Sequence, residues 1–201
     1  MSRLLLATTN RGKAAEYVSL LKGLDMELLT LDQAGISQEA EENYSTFEEN
    51  ARSKAVFYSA LSGLVTLADD SGLEVEALGG EPGVRSSRYA GENASDAERV
   101  NFLLEKLKGV PCELRNARFR CVIAIAEPGG KVETVSGECR GRIALEPRGQ
   151  NGFGYDPVFY LSEYDKTIAE ISHELKNEIS HRGRAAQKAR VLLQKLSERS
   201  G

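Results

Sequence analysis

The stretch "RFRCVIAIAEPGGKVETVSGECRGRIA", residues 118–144, constrains the fold more than any other. Residues 118–126 read as a strong strand, "EPGG" supplies the turn, and "KVETVSGECRGRIA" returns beside it as an antiparallel partner. Elsewhere short buried strands alternate with helices. "RLLLAT" (3–8) reads as a strand, followed by a helix from Gly12 to Leu21 with apolar positions at Tyr17, Val18, Leu20 and Leu21. "MELLTL" (26–31) and "LVTLA" (64–68) read as strands, the second ending in "DDSG". Hairpin strands mixed with strand–helix alternation predict an α/β fold around a mixed sheet.

Helix boundaries are written in capping signals. Ser45 with Glu48 predicts a capping box opening a helix to Ser62, closed by Gly63, with Phe47, Ala51, Ala55, Tyr58 and Leu61 as its buried stripe. Ser95 with Glu98 predicts a second box, for a helix stopping before Gly109. A long helix from Ser180 to Leu196 ends the chain. No repeat, low-complexity run or linker interrupts it, so 201 residues suit one domain, with two lobes sharing a sheet as the finer expectation.

A net charge of −4 argues against broad phosphate neutralisation of a nucleic acid, but not against a small anion held by a few local cations. Cys112, Cys121 and Cys139 are odd in number and widely spaced, which points to reduced thiols and a cytoplasmic location. The opening "MSRLLLATTN" is too weakly apolar for a signal peptide or membrane span.

Four stretches could carry chemistry. "TTNRGK" (8–13) lies between a strand and a helix, where free N–H groups, Gly12 and Lys13 favour an anion; a turn capped by Thr9 or Asn10 explains it equally. "ADDSGLEV" (68–75) sets two adjacent carboxylates at a strand end, which suits a metal or a simple Asx turn. Glu39, Glu41 and Glu42 offer a further acidic ligand, or a solvated face. "LKNEISHRGRA" (175–185) gathers Lys176, His181 and Arg182 about a helix start, fit for an oxygen-rich ligand or an ordinary cap by Ser180. The loop "PGVRSSRYAGENAS" (82–95) reads as a lid, a subunit contact or a surface connection. His173 reads as a surface residue.

Taken in order, "ATTNRGK", "TFEENARSKA", "ADDSGLEV", "PGVRSSRYAGE", "FGYDPVF" and "KNEISHRGRA" resemble the inosine triphosphate pyrophosphatase family, whose bacterial members are dITP/XTP pyrophosphatases. The resemblance runs from residue 4 to about 190 and implies an elongated mixed central sheet flanked by helices, with two lobes and a nucleotide cleft. It implies a homodimer that uses Mg²⁺ to hydrolyse ITP, dITP and XTP to monophosphate and pyrophosphate, with no nucleic-acid or membrane partner.

Residue by residue, it assigns the triphosphate to Thr8, Thr9, Asn10, Arg11, Gly12 and Lys13, with Lys54 assisting. It assigns Mg²⁺ to Glu41 and Asp70, makes Asp70 the proton acceptor for the attacking water, and has Asp69 support the acidic site. Ser71 would touch substrate, and Phe153, Gly154, Tyr155, Asp156, Lys176, His181 and Arg182 would form the base and sugar pocket. Phe153 would stack on the purine, worth about 1–3 kcal/mol and tolerant of base identity. Selection of a 6-oxo purine would then fall to donors from His181 and Arg182, by side chain or backbone. Two departures stand out: Asn43-Tyr44 where members often have Thr-Gly, and Arg85 where many have Tyr. The rival readings are a pyrophosphatase for another modified base and a nucleotide sensor without turnover.

Overall fold

The strands assemble into one seven-stranded sheet of order β2-β1-β3-β4-β5-β6-β7 in the computed structural model, which describes residues 2–199. They are β1 (Ser2–Leu6), β2 (Met26–Thr30), β3 (Val65–Val75), β4 (Asn116–Ala126), β5 (Val132–Ile143), β6 (Phe159–Leu161) and β7 (Lys166–Thr167). β1 pairs parallel with β2 and β3, whereas β5–β6 and β6–β7 are antiparallel, so the sheet is mixed as expected. The hairpin of β4 and β5 closes through Glu127 N–H to Lys131 O (3.1 Å) and Gly130 N–H to Glu127 O (3.0 Å). The helices are α1 (Arg11–Leu20), α2 (Phe47–Ser62), α3 (Asp96–Lys106), α4 (His173–Ile179) and α5 (His181–Arg199).

The chain divides into two compact units. The first comprises Met1–Asp70, Cys121–Gly137 and Arg182–Gly201, and its core packs Leu4, Leu6, Tyr17, Leu21, Leu67, Ile123 and the alanines of α5. The second comprises Ser71–Arg120 and Glu138–His181, with a core of Leu73, Leu103, Phe119, Ile143, Phe159 and their neighbours. Among the described residues, no helix is long and apolar enough to cross a membrane.

Several local expectations shift. The N-cap of α2 is Thr46, whose hydroxyl accepts from Glu49 N–H, rather than Ser45 with Glu48; two adjacent hydroxyls compete, and the later one takes the extended cap geometry. Gly63 closes α2 in the left-handed region at φ 67°, as the sequence indicates. Leu61 and Val18 are exposed, so the buried stripes of α2 and α1 are narrower than the apolar pattern. The box of Ser95 and Glu98 forms in full. The C-terminal helix forms as expected, as α5 from His181, and is preceded by a short helix that was not expected, α4, which Ser180 closes in extended geometry.

β3 departs most. It runs through "DDSG" to Val75, so the two aspartates lie inside a strand and not at its end. Turn propensity predicts the opposite, and burial of the strand on both faces overrides it.

Arg115 holds the second unit together in one place. Buried, it donates to Leu107 O (2.9 Å) and Val110 O (3.0 Å) just past α3, and to Ala144 O (3.3 Å) just past β5. Arg115→Ala leaves those carbonyls without their donor and is expected to lower stability by about 3 kcal/mol, read as a fall in the denaturant midpoint.

Candidate active site

Successive residues of a strand face opposite sides of the sheet. Asp69 and Asp70 therefore make different direct contacts. Asp69, 1% exposed, receives Lys13 of α1 (Nζ to Oδ2, 3.1 Å) and Arg182 of α5 (Nε to Oδ2, 3.6 Å). Arg182 also pairs with Glu16 at 2.5 Å. The thiol of Cys121 lies 3.7 Å from Asp69 Oδ2 and the same distance from the Tyr17 hydroxyl. Burial would raise the Asp69 pKa, but Lys13, Arg182 and Lys54 hold it well below the carboxylate range. Asp69 is thus a fixed anion, and its Oδ1 is buried with no hydrogen-bond partner among the described residues. Burial, with Asp69 nearby, pushes the Cys121 thiol up to about 12, so it stays neutral.

Asp70 meets α2 instead. Asn50 Nδ2 donates to its Oδ2 at 3.0 Å. Lys54, one turn on, is buried and pairs with Glu42 at 2.5 Å. Burial pushes the Asp70 carboxyl up to about 6; Lys13 and Lys54 pull it down and Glu42 pushes it further up. Burial pulls the Lys54 pKa down most strongly, but Glu42, Asp69 and Asp70 together raise it.

The 8–13 segment bends as a capped turn. Thr8 Oγ1 accepts from Asn10 N–H (3.2 Å), and Asn10 Oδ1 caps α1 by accepting from Lys13 N–H (2.9 Å). Thr9, Asn10 and Arg11 are exposed beside it, with Thr8, Gly12 and Lys13 half-buried. The capped-turn and anion readings are thus compatible, since a cap on one N–H leaves the neighbouring ones to a ligand.

A second group lies wholly within the other unit. Buried Asp156 accepts from Phe153 N–H (2.9 Å) and from Lys176 Nζ (2.6 Å), both at Oδ2, and Lys176 Nζ stands 4.9 Å from the centre of the Phe153 ring. Gly152 makes this turn at φ 77°, and a Cβ there would run into Asp156 Oδ2. His181, also buried, stacks on Phe119 with ring centroids 4.7 Å apart and planes 13° from parallel.

The expected residues therefore fall into two sets: Lys13, Lys54, Asp69, Asp70 and Arg182 in one unit, and Phe153, Gly154, Tyr155, Asp156, Lys176 and His181 in the other. Arg182, expected beside the base-binding residues, instead holds carboxylates of the first set. Ser71 is half-buried next along β3. Glu41 is exposed and accepts from Asn43 Nδ2 at 3.3 Å, while Glu42 is the carboxylate at Lys54. Glu16, Glu42 and Asn50 were not singled out for these contacts. The signal for Asn50 was present: it lies a turn before Lys54, and both sit on the buried side of α2.

Among the described residues, no three His, Cys, Asp or Glu side chains form a ready metal cage. The pairing of Asp70 with nearby Glu42, both hard oxygen donors, fits a cation that keeps most of its waters or substrate oxygens, as Mg²⁺ does.

An open mixed sheet carrying buried carboxylates among lysines and an arginine fits a site for a polyanionic ligand. Residues 4–192 match the model of the Ham1 family, and the chain belongs to that family. It is 53% identical over 185 residues to a dITP/XTP pyrophosphatase of Geobacter sulfurreducens, covering 92% of this chain and 93% of that protein. The solved structure of a HAM1 protein from Coxiella burnetii superimposes with a TM-score of 0.88 at 44% identity, over 97% of this chain and all (100%) of the other. The Staphylococcus aureus Ham1 protein gives 0.84 at 40% identity, with 100% of both chains covered.

The raised Asp70 has a consequence for stability. A carboxyl whose folded pKa lies above its unfolded value of 3.8 costs nothing below that pH and costs most once pH passes about 6. In metal-free protein held in EDTA, Asp70→Asn is expected to raise the melting temperature at pH 8, by the equivalent of up to about 3 kcal/mol, and to leave it unchanged at pH 3.5.

Proposed function

We propose that this Ham1-family chain is a nucleoside triphosphate pyrophosphatase that acts on the deaminated purine nucleotides dITP, ITP and XTP, yielding the monophosphate and pyrophosphate. The observation that carries the reading is the pair of oppositely facing carboxylates on β3, with Lys13 and Lys54 acting on both. The names of the relatives supply the substrate class.

Lys13, the turn at Thr8–Gly12 with its exposed residues Thr9, Asn10 and Arg11, and Lys54 are positioned to neutralise and orient a triphosphate, which is most of what phosphoryl transfer asks of a protein. Asp70 with Glu42 or Glu41 would hold Mg²⁺, which supplies charge neutralisation on the phosphate oxygens and a more acidic water. Asp70 is the proposed proton acceptor, because Asp69 is held ionised too firmly to serve as a base. Water adds to the α-phosphorus, its proton passes to the carboxylate, and the bond to the bridging oxygen breaks to release pyrophosphate. Asp69 keeps Lys13 and Arg182 in place for that step.

Phe153 offers the base a ring, and Asp156 with Lys176 offers an acceptor and a donor beside it. His181, fixed flat against Phe119, is the proposed reader of the 6-oxo group. Arg182, buried between Glu16 and Asp69, serves the charge network in this arrangement, and any contact with the base would have to come from its backbone or after it leaves Glu16. The same reading has the chain work as a cytoplasmic homodimer.

The test is product-resolved hydrolysis with Mg²⁺ of dITP, XTP, dATP, dGTP and dTTP. Pyrophosphate and monophosphate from dITP and XTP alone are expected; orthophosphate, or equal rates on the ordinary nucleotides, would sink the reading. Glu42→Gln and Glu41→Gln, assayed across Mg²⁺ concentrations, separate the two candidate ligands. Glu42→Gln is expected to raise the Mg²⁺ requirement about tenfold or more, with Glu41→Gln near the parent.

A further inference from the structure

The loop that presents Phe153 is gripped from outside by a segment that no catalytic or binding role accounts for. Three consecutive residues of it are each held by a different partner. Phe153 N–H goes to Asp156 within the loop. Gly154 N–H donates to Asp96 Oδ2 at 2.6 Å, a contact 58 residues apart in sequence. The Tyr155 hydroxyl donates to Ser86 O at 2.8 Å.

The outer partners are themselves tied together. Arg99 pairs with the other oxygen of Asp96 and donates through Nη1 to Ser87 O (2.8 Å) and Ala94 O (2.5 Å). Ser86 Oγ accepts from Leu73 N–H on β3 (2.9 Å) and donates to Gly83 O (2.6 Å). The 82–95 segment and the start of α3 are therefore a brace: Ser86 of the 3₁₀ turn (Gly83–Arg88) holds the Tyr155 hydroxyl and Asp96 of the first turn of α3 holds the Gly154 N–H.

Gly154 adopts φ 63°, so its peptide can swing unless something fixes it. A charged acceptor on that N–H, itself locked by an arginine, is a strong fixing contact. Loss of that tie would free the backbone immediately after Phe153, leaving the Phe153 Cα that carries the ring held on one side alone, through its own N–H to Asp156.

We propose that Asp96 is a positioning residue for base recognition, fixing the Gly154 peptide and with it the backbone that carries the Phe153 ring. The proposal rests on the reading that Phe153 stacks on the purine. It predicts a division of effects that a merely structural anchor would not produce: the base end of the ligand suffers, and the phosphate end does not.

Asp96→Ala and Asp96→Asn are compared with the parent by calorimetry with inosine monophosphate and with tripolyphosphate, and by steady-state kinetics on dITP, all with Mg²⁺. Asp96→Ala is expected to weaken inosine monophosphate binding and raise KM about tenfold, with kcat within about twofold and tripolyphosphate affinity unchanged. Asp96→Asn, which keeps an oxygen to accept from Gly154, is expected to restore most of the loss. If Asp96→Ala does not fold at assay temperature, Asp96→Ser takes its place with the same expectation. An Asp96→Ala protein equal to an active parent toward inosine monophosphate, or weakened equally toward tripolyphosphate, overturns the role of Asp96 alone. A parent that binds neither compound and leaves dITP intact overturns the function itself.

Discussion

Two consecutive carboxylates buried in one strand set the terms for the first unit. A buried carboxylate without a counter-charge costs several kcal/mol or turns neutral. β3 turns Asp69 and Asp70 to opposite faces, so their direct contacts differ, although the charges of Lys13 and Lys54 reach both. Asp69 takes direct contacts from Lys13 of α1 and Arg182 of α5, whereas Asp70 takes an amide hydrogen bond from Asn50 of α2, and Lys54, paired with Glu42, acts on both from a distance. The compensation is uneven. Asp69 is held firmly ionised, while the Asp70 carboxyl is pushed up to about 6, chiefly by burial and further by Glu42. That imbalance separates an anion that anchors from a carboxyl that can exchange a proton or take up a cation.

The second unit solves a smaller version of the same problem. Asp156 is one buried carboxylate with a lysine and a backbone N–H on one oxygen. Lys176 then also lies near the face of the Phe153 ring, which gains from a cation near its π-system. Ring, ammonium and carboxylate are thus a single mechanical object, and Gly152 is required because any side chain there would collide with the carboxylate.

Much of this was legible in the sequence, and what was missed has a pattern. Asn10 as a cap, the Ser95–Glu98 box and the β4–β5 hairpin depend on neighbours within a few residues, and all appear. "DDSG" misled because turn propensity is local, whereas the strand is fixed by pairing and burial from afar. β6, β7 and α4 are too short to show a period. The choice between Glu41 and Glu42 turns on which side of an irregular segment meets Lys54, and composition is silent on that. Arg182 shows the limit of transferring a role: the residue matches, yet its guanidinium is engaged by Glu16 and Asp69. Asp96 could not be found at all from local pattern, since its use is a contact with a backbone N–H far along the chain.

The two departures from the common motif can be weighed by asking which atoms carry the contacts. At the acidic segment Asn43 uses its side chain, donating to the exposed Glu41, but the ties at 44 are made by backbone: Tyr44 N–H donates to Asn50 Oδ1 and Tyr44 O accepts from Asn50 Nδ2, while the Tyr58 hydroxyl bridges Ala40 N–H and Gln38 O. A change of side chain at 44 leaves those bonds in place, and the Tyr44 ring is exposed. The same Asn50 amide reaches Asp70, so the path of the acidic segment and the position of Asp70 are fixed by one side chain. Arg85 is likewise exposed, whereas its neighbour Ser86 is buried and makes the brace. Both departures thus fall on solvent-facing side chains, and the buried polar groups that hold the two sets of functional residues are untouched by either.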